Sequence, residues 1–252
     1  MNRRPESVTL FVTCLGDTFY PGAVAAARRV LERAGWRVRC PRDQTCCGQP
    51  MFNAGYREPA RQTARHFLDV FRATDGPIVA PSSSCAAMVR RHYPQLFADE
   101  PETLEAALET GRRTYELSEF LVRVANLDLP ALGARFAQSV TFHRSCHFRG
   151  LEREEDPVEL IRRIPGIDYR PLSRIEECCG FGGTFSLNFP QISRAMAAEK
   201  VRCIRATGAD WLITADAGCG MNITGYARRE GIPIRMMHMA ELLDAALREG
   251  AA

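Results

Sequence analysis

No stretch of this 252-residue sequence approaches the roughly 18 consecutive apolar residues of a transmembrane helix. Nor is there an excess of one charge. Lys plus Arg number 33 against 30 Asp plus Glu, a formal net charge of +3. That balance leaves no basic stripe for nucleic acid and no polybasic patch for a lipid surface. A Gly-x-Gly-x-x-Gly fingerprint after a strand is missing, so a dinucleotide site has no support. The opening residues carry only a short apolar run between Glu6 and Asp17, with no small-residue cleavage site behind it. They read as a buried first strand of a cytoplasmic protein, not as a signal peptide. What remains is an ordinary globular balance, 46% hydrophobic and 25% charged. It excludes disorder, collagen and coiled coil, and provides enough apolar side chain for a core.

Cysteine is the abundant exception, with ten residues at positions 14, 40, 46, 47, 85, 146, 178, 179, 203 and 219. A chain of this size with a good core needs no disulfide staples. Ten thiols in a reducing compartment point to metal or redox chemistry.

Eight of them form a repeat. Cys46-Cys47-Gly48 recurs as Cys178-Cys179-Gly180, with Cys14 and Cys146 each 32 positions before the pair. Cys85 follows Cys47 by 38 positions and Cys219 follows Cys179 by 40. Flanking residues repeat too: Val8–Leu15 resembles Val140–His147, and Ser118-Glu119-Phe120-Leu121 resembles Ala240-Glu241-Leu242-Leu243. The chain therefore divides into cysteine-rich domains at 1–138 and 139–252. The first carries about a dozen extra residues, near 98–113, which form a helix of their own. Cys40 and Cys203 have no counterpart in the other half and read as buried small hydrophobes.

Hydrophobic patterning predicts strands at 7–13, 36–40, 77–81, 139–143, 167–171, 211–215 and 233–237. Helical patterns fall at 21–34, 56–73, 85–97, 102–113, 116–127, 156–164, 190–206, 219–229 and 238–248. The alternation predicts an α/β fold of two pseudo-symmetric halves, each a small parallel sheet flanked by helices. Parallel strands share one carboxyl edge, where open α/β sheets bind ligands. Cys14, Cys85, Cys146 and Cys219 each follow a strand end, and the two Cys-Cys pairs lie in loops that bend onto the same edge. Four thiols are thus expected to converge in each half.

Four thiolates form a soft donor set suited to iron–sulfur clusters or zinc. Adjacent cysteines are unusual for tetrahedral zinc, where Cys-x2-Cys chelation dominates. A cluster with several irons accepts neighbouring thiolates on different metals.

The pattern Cys-x31-Cys-Cys-Gly-x37-Cys, repeated with x39, resembles the cysteine-rich CCG domain. That domain occurs in the B subunit of heterodisulfide reductase and in iron–sulfur subunits of glycolate and glycerol-3-phosphate oxidising enzymes. Phe11–Asp17, Gln44–Pro50, Pro81–Cys85 and Glu177–Ser186 carry a closer match, to the lactate-utilisation protein A family. The resemblance implies an iron–sulfur electron-transfer subunit of a multi-protein system oxidising L-lactate to pyruvate. It implies two partner lactate-utilisation proteins, one of them a ferredoxin-like iron–sulfur protein. The cofactor implied is a cluster, [4Fe–4S], one or two per chain, with no flavin or NAD motif. The heterodisulfide-reductase pattern ends in Cys-x-x-Cys, whereas here Met88 and Asn222 stand at the fifth thiol. Four thiolates per half still suffice for an ordinary four-ligand cluster. Two other readings stay open: a thiol–disulfide reductase on the same scaffold, and a zinc-stabilised interaction protein.

His143 and His147 flank Cys146 and are the candidate catalytic groups, since lactate oxidation must remove a hydroxyl proton. Arg144 is a candidate carboxylate clamp, and Asp17 has similar standing. Ser82-Ser83-Ser84 are expected to cap the helix carrying Cys85. The charged run 152–156 reads as a solvated loop and helix start.

Overall fold

A computed structural model describes residues 7–151 and 154–249. They form two compact units, one ending at Asn126 and the other beginning at Leu127. Residues 127–138 belong with the second unit because its hydrogen bonds hold them: the Arg135 amide donates to the Ala246 carbonyl and the Phe136 amide to that of Pro165.

In the first unit, β1 (Ser7–Leu10), β2 (Arg37–Arg39), β3 (Ile78–Ala80) and β4 (Thr114–Glu116) form one sheet in the order β2-β1-β3-β4. In the second, β5 (Ser139–His143), β6 (Asp168–Tyr169), β7 (Trp211–Thr214) and β8 (Met236–His238) take the order β6-β5-β7-β8. Every pairing is parallel. The halves thus share one topology.

The central strands are apolar because helices cover both faces. Val8, Leu10, Ile78 and Val79 are buried in the first sheet, and Val140, Phe142, Leu212 and Ile213 in the second. Phe11, Phe67 and Phe71 pack in the first unit with ring centroids 4.2–5.5 Å apart. The covering helices bury regular stripes, such as Ala60, Ala64, Phe67, Leu68 and Phe71 on Arg57–Arg72.

The helix predicted near 98–113 is Pro101–Arg112, inserted between β3 and β4. Four expectations need correction. The first strand stops at Leu10, not residue 13, because the Val12 amide leaves the sheet and donates to Gln44 Oε1 (2.8 Å). The predicted helix at 85–97 contains a π-helical turn over Met88–His92, between Ser83–Ala87 and Tyr93–Leu96. Pro94 explains it, since proline has no N–H and its ring crowds the carbonyl four residues back. The strand Thr114–Glu116 was hidden between two predicted helices that ran almost together. In the charged run, residues 152 and 153 lie outside the described residues, and Asp156 is buried at the start of the helix Asp156–Arg162 rather than solvated.

Candidate metal centres

Each thiol is delivered by the fold to a carboxyl strand end. Cys14 opens the helix Cys14–Phe19 just past β1, and Cys85 sits in the first turn of Ser83–Ala87 just past β3. Ser82 caps that turn as expected, its hydroxyl accepting from the Cys85 amide at 3.3 Å. Cys146 opens a 3-10 turn after β5, and Cys219 lies in the first turn of Ala217–Arg229 after β7.

In the first unit the Cys14 and Cys46 sulfurs are 3.5 Å apart, as are those of Cys47 and Cys85. Cys46 and Cys47 interact with each other, which joins the two pairs into one group. The second unit repeats this chain of contacts, Cys146 to Cys178, Cys178 to Cys179 and Cys179 to Cys219. The structure therefore brings together both predicted sets of four. Cys40 is exposed rather than buried. Cys203 shares a buried cluster with Cys179 and Cys219, yet its sulfur lies 3.9 Å from Glu199 Oε1.

The first cysteine of each Cys-Cys pair is driven furthest toward thiolate. The Cys14 thiol, followed by that of Cys47, holds Cys46 down at about 3 against the opposing effect of burial; the Gly48 amide adds to the pull. That amide donates to Cys46 Sγ at 3.4 Å. Cys178 is held down at about 2 by Cys146 first and then Cys179, with the Gly180 amide donating at 3.3 Å. Cys14 and Cys146 move up, because each donates to the thiolate beside it and is partly buried. Cys219 is lowered to about 7, chiefly by the Cys179 thiol. Such N–H···S contacts stabilise negative charge on a soft donor set.

Glycine geometry lets the chain pass this close. Gly48 has φ 82° and Gly180 φ 85°, left-handed values that a side chain resists. A Cβ at Gly180 would stand 2.7 Å from the Ser193 carbonyl oxygen.

Several residues outside the predicted site hold the loops in place. Gln44 accepts from Val12 and donates to the Pro41 carbonyl (2.8 Å), tying the Cys-Cys loop to the end of β1. Gln49 Nε2 donates to the Ser84 carbonyl at 3.0 Å, joining that loop to the Cys85 helix. In the second unit Lys200, with no exposed surface, donates to the Arg174 carbonyl at 2.7 Å. A side-chain amide beside a Cys-Cys pair was the only available signal.

His147 Nδ1 lies 3.6 Å from Cys146 Sγ, and its ring is half-buried. His143 is fully buried at the end of β5. Arg144 is already engaged by Glu154 (2.6 Å) and Glu155 (3.7 Å). Asp17 is exposed in the first turn of Cys14–Phe19.

The donor chemistry fits an iron–sulfur cluster. It offers four sulfurs per unit, a backbone amide aimed at one of them, and glycine where bulk would collide. No helix among the described residues is long and apolar enough to cross a membrane.

A cysteine-rich domain, CCG, matches residues 8–90 and again 140–224. Lactate utilization protein A of Shouchella clausii is 48% identical over 240 residues, covering 95% of this chain and 99% of that one. The protein of the same name from Exiguobacterium sp. is 43% identical over 245 residues, covering 96% and 99%. Among solved structures, a hypothetical protein from Helicobacter pylori matches 97% of this chain with a TM-score of 0.71 at 11% identity. The chain spans about half of that protein, 49%, and the likeness concerns the fold alone. With two CCG domains and near-full-length identity to these relatives, the chain belongs to the lactate utilization protein A family.

Proposed function

We propose that this chain is the iron–sulfur electron-transfer subunit of a cytoplasmic multi-protein system that oxidises L-lactate to pyruvate. It acts with two partner proteins, one ferredoxin-like. The observation that carries the reading is the matched pair of four-thiol sets, each at the carboxyl edge of a parallel sheet. Family membership supports the substrate.

Cys14, Cys46, Cys47 and Cys85 would hold one cluster, and Cys146, Cys178, Cys179 and Cys219 the other. When bound, a [4Fe–4S] cluster supplies single-electron transfer, which these side chains lack. The chain's own part is to bury Cys47, Cys85, Cys179 and Cys219 and to keep Cys46 and Cys178 as thiolates. Half-buried His147 would take up the lactate hydroxyl proton.

The test is anaerobic purification, iron and acid-labile sulfide assays, and electron paramagnetic resonance after reduction. Expected are about four iron and four sulfide per filled set, and a spectrum that lactate elicits once both partners are added. Stoichiometric zinc without sulfide would replace this reading with the zinc-stabilised interaction protein. Reduction of a disulfide substrate without lactate dependence would favour the thiol–disulfide reductase.

A further inference from the structure

The two sets differ at one buried position. Aligned on their first cysteines, one half reads Val8-Thr9-Leu10-Phe11 and the other Val140-Thr141-Phe142-His143. The match holds in detail, since Thr9 and Thr141 both bury hydroxyls that have no partner among the described residues. Phe11 is consumed by packing, 4.8 Å from Phe67 and 5.5 Å from Phe71 between ring centroids. His143 occupies the matching place with 0% exposure.

Among the described residues, neither ring nitrogen of His143 meets a nitrogen or oxygen partner. Burying an imidazole in that state is costly, so something else must satisfy it. What faces it is sulfur. One ring nitrogen and the Cys179 and Cys219 sulfurs all lie within 4.8 Å of one another. That is close to the spacing of donors that share a metal, given bonds of about 2.3 Å to sulfur and about 2.0 Å to nitrogen. Asn222, at the place of the fifth thiol, does not compete, because its Nδ2 donates to the Cys179 carbonyl at 2.8 Å.

We propose that His143 is a fifth ligand of the second metal centre beside its four thiolates, giving it a mixed imidazole–thiolate donor set, while the first centre is held by four thiolates alone. The inference rests on the reading that the cysteine sets hold iron–sulfur clusters. Imidazole is neutral where thiolate is anionic, so His143 leaves the second centre less negative than a fifth thiolate at that place would, and its reduced state correspondingly more stable.

The experiment uses the full chain, purified anaerobically with 15N-labelled histidine, and reads nitrogen hyperfine coupling by electron–nuclear double resonance. Wild type should show the strong coupling of a directly bound nitrogen. It should vanish in His143→Phe, which copies the first half, and persist in His147→Phe. The second centre's midpoint potential should fall in His143→Cys. A protein carrying iron and sulfide without strongly bound 15N overturns the inference and leaves the cluster reading standing. Coupling that survives His143→Phe, or disappears in His147→Phe, also overturns it. A chain with neither iron nor sulfide defeats the parent reading and this one with it. If His143→Phe does not fold, the wild-type spectrum and His147→Phe decide.

Discussion

The hydroxyl of Tyr93 donates to the main-chain carbonyl of Cys47 at 3.0 Å. In the other half Asn222 donates to the corresponding carbonyl, that of Cys179. The two ties end on equivalent atoms but start from different points of the helical segment after the last cysteine. Tyr93 lies eight residues beyond Cys85 and Asn222 three beyond Cys219. The residue at the place of the missing thiol thus has a structural task, holding the Cys-Cys loop against its helix.

Tyr93→Phe keeps a ring that packs 5.5 Å from Phe67 and removes only the donor. The Cys47 carbonyl is then left without it in a buried place, at a cost of about 1–2 kcal/mol. Urea denaturation of the metal-free protein at one pH reads this directly. An unchanged midpoint would show that the tie contributes nothing.

The two loop glycines should not respond alike. Gly48→Ala meets the Ala60 carbonyl oxygen at 3.4 Å and Thr63 at 3.5 Å, so the cost is the left-handed backbone, roughly 1–2 kcal/mol. Gly180→Ala carries the same strain and also a 2.7 Å clash with the Ser193 carbonyl oxygen. It should be the more damaging by about 1–3 kcal/mol, with greater loss of bound metal. Denaturation midpoints and metal content of the paired variants provide the check, and equal losses would contradict the asymmetry.

Removing one ligand should empty one set. Cys46→Ala and Cys178→Ala are expected to lose about half of the bound iron each and abolish lactate-dependent electron flow. Cys203→Ala should retain both, because its sulfur faces Glu199. Circular dichroism should change little, since the sheet cores are built from Val, Ile, Leu and Phe and not around the metal. Iron loss in Cys203→Ala with the fold intact would move the ligand assignment.

Glu116 produces a pH effect distinct from the thiols. Burial pushes its carboxyl up to about 8, against the Ser118 and Glu119 amides, which favour the charged form. The unfolded value is about 4.3. Between these two values the folded chain holds a proton that the unfolded chain has released. The group's stabilising contribution is therefore full below about pH 4 and is lost as pH rises toward 8. The slope for one proton cannot exceed about 1.4 kcal/mol per pH unit. Glu116→Gln should flatten stability across pH 5–8, measured by denaturation at each pH. An identical slope in wild type and variant would remove Glu116 as the cause.

Most of the architecture was legible because it rests on periodicity and repetition. The strand at Ile78–Ala80 and the helix Arg57–Arg72 carry strong patterns, and both appear close to their predicted limits. The repeated glutamate was visible without its reason. Glu119 Oε2 accepts from the Glu116 amide and Glu241 Oε2 from that of His238, each closing a helix start just after a strand. Taken as a cap, Glu119 would have revealed Thr114–Glu116 by analogy with Met236–His238. The convergence of the thiols followed from parallel topology. The thiol surroundings of His143 did not, because what meets a buried ring depends on which groups reach a position from distant strands and helices, and spacing along the chain does not record that.

The sulfur sets have an order in time built into them. Cys14 and Cys85 are 71 residues apart and meet only when β1 has paired with β3 and the loop after β2 has folded back. Such a site is non-local and forms late, unlike a zinc finger, in which metal directs folding. During synthesis all four thiols of the first set have been made by residue 85, and the first sheet has its last strand by Glu116. Every thiol and every strand of the first site therefore precedes β5 in the chain, so the first set is complete without any residue of the second unit.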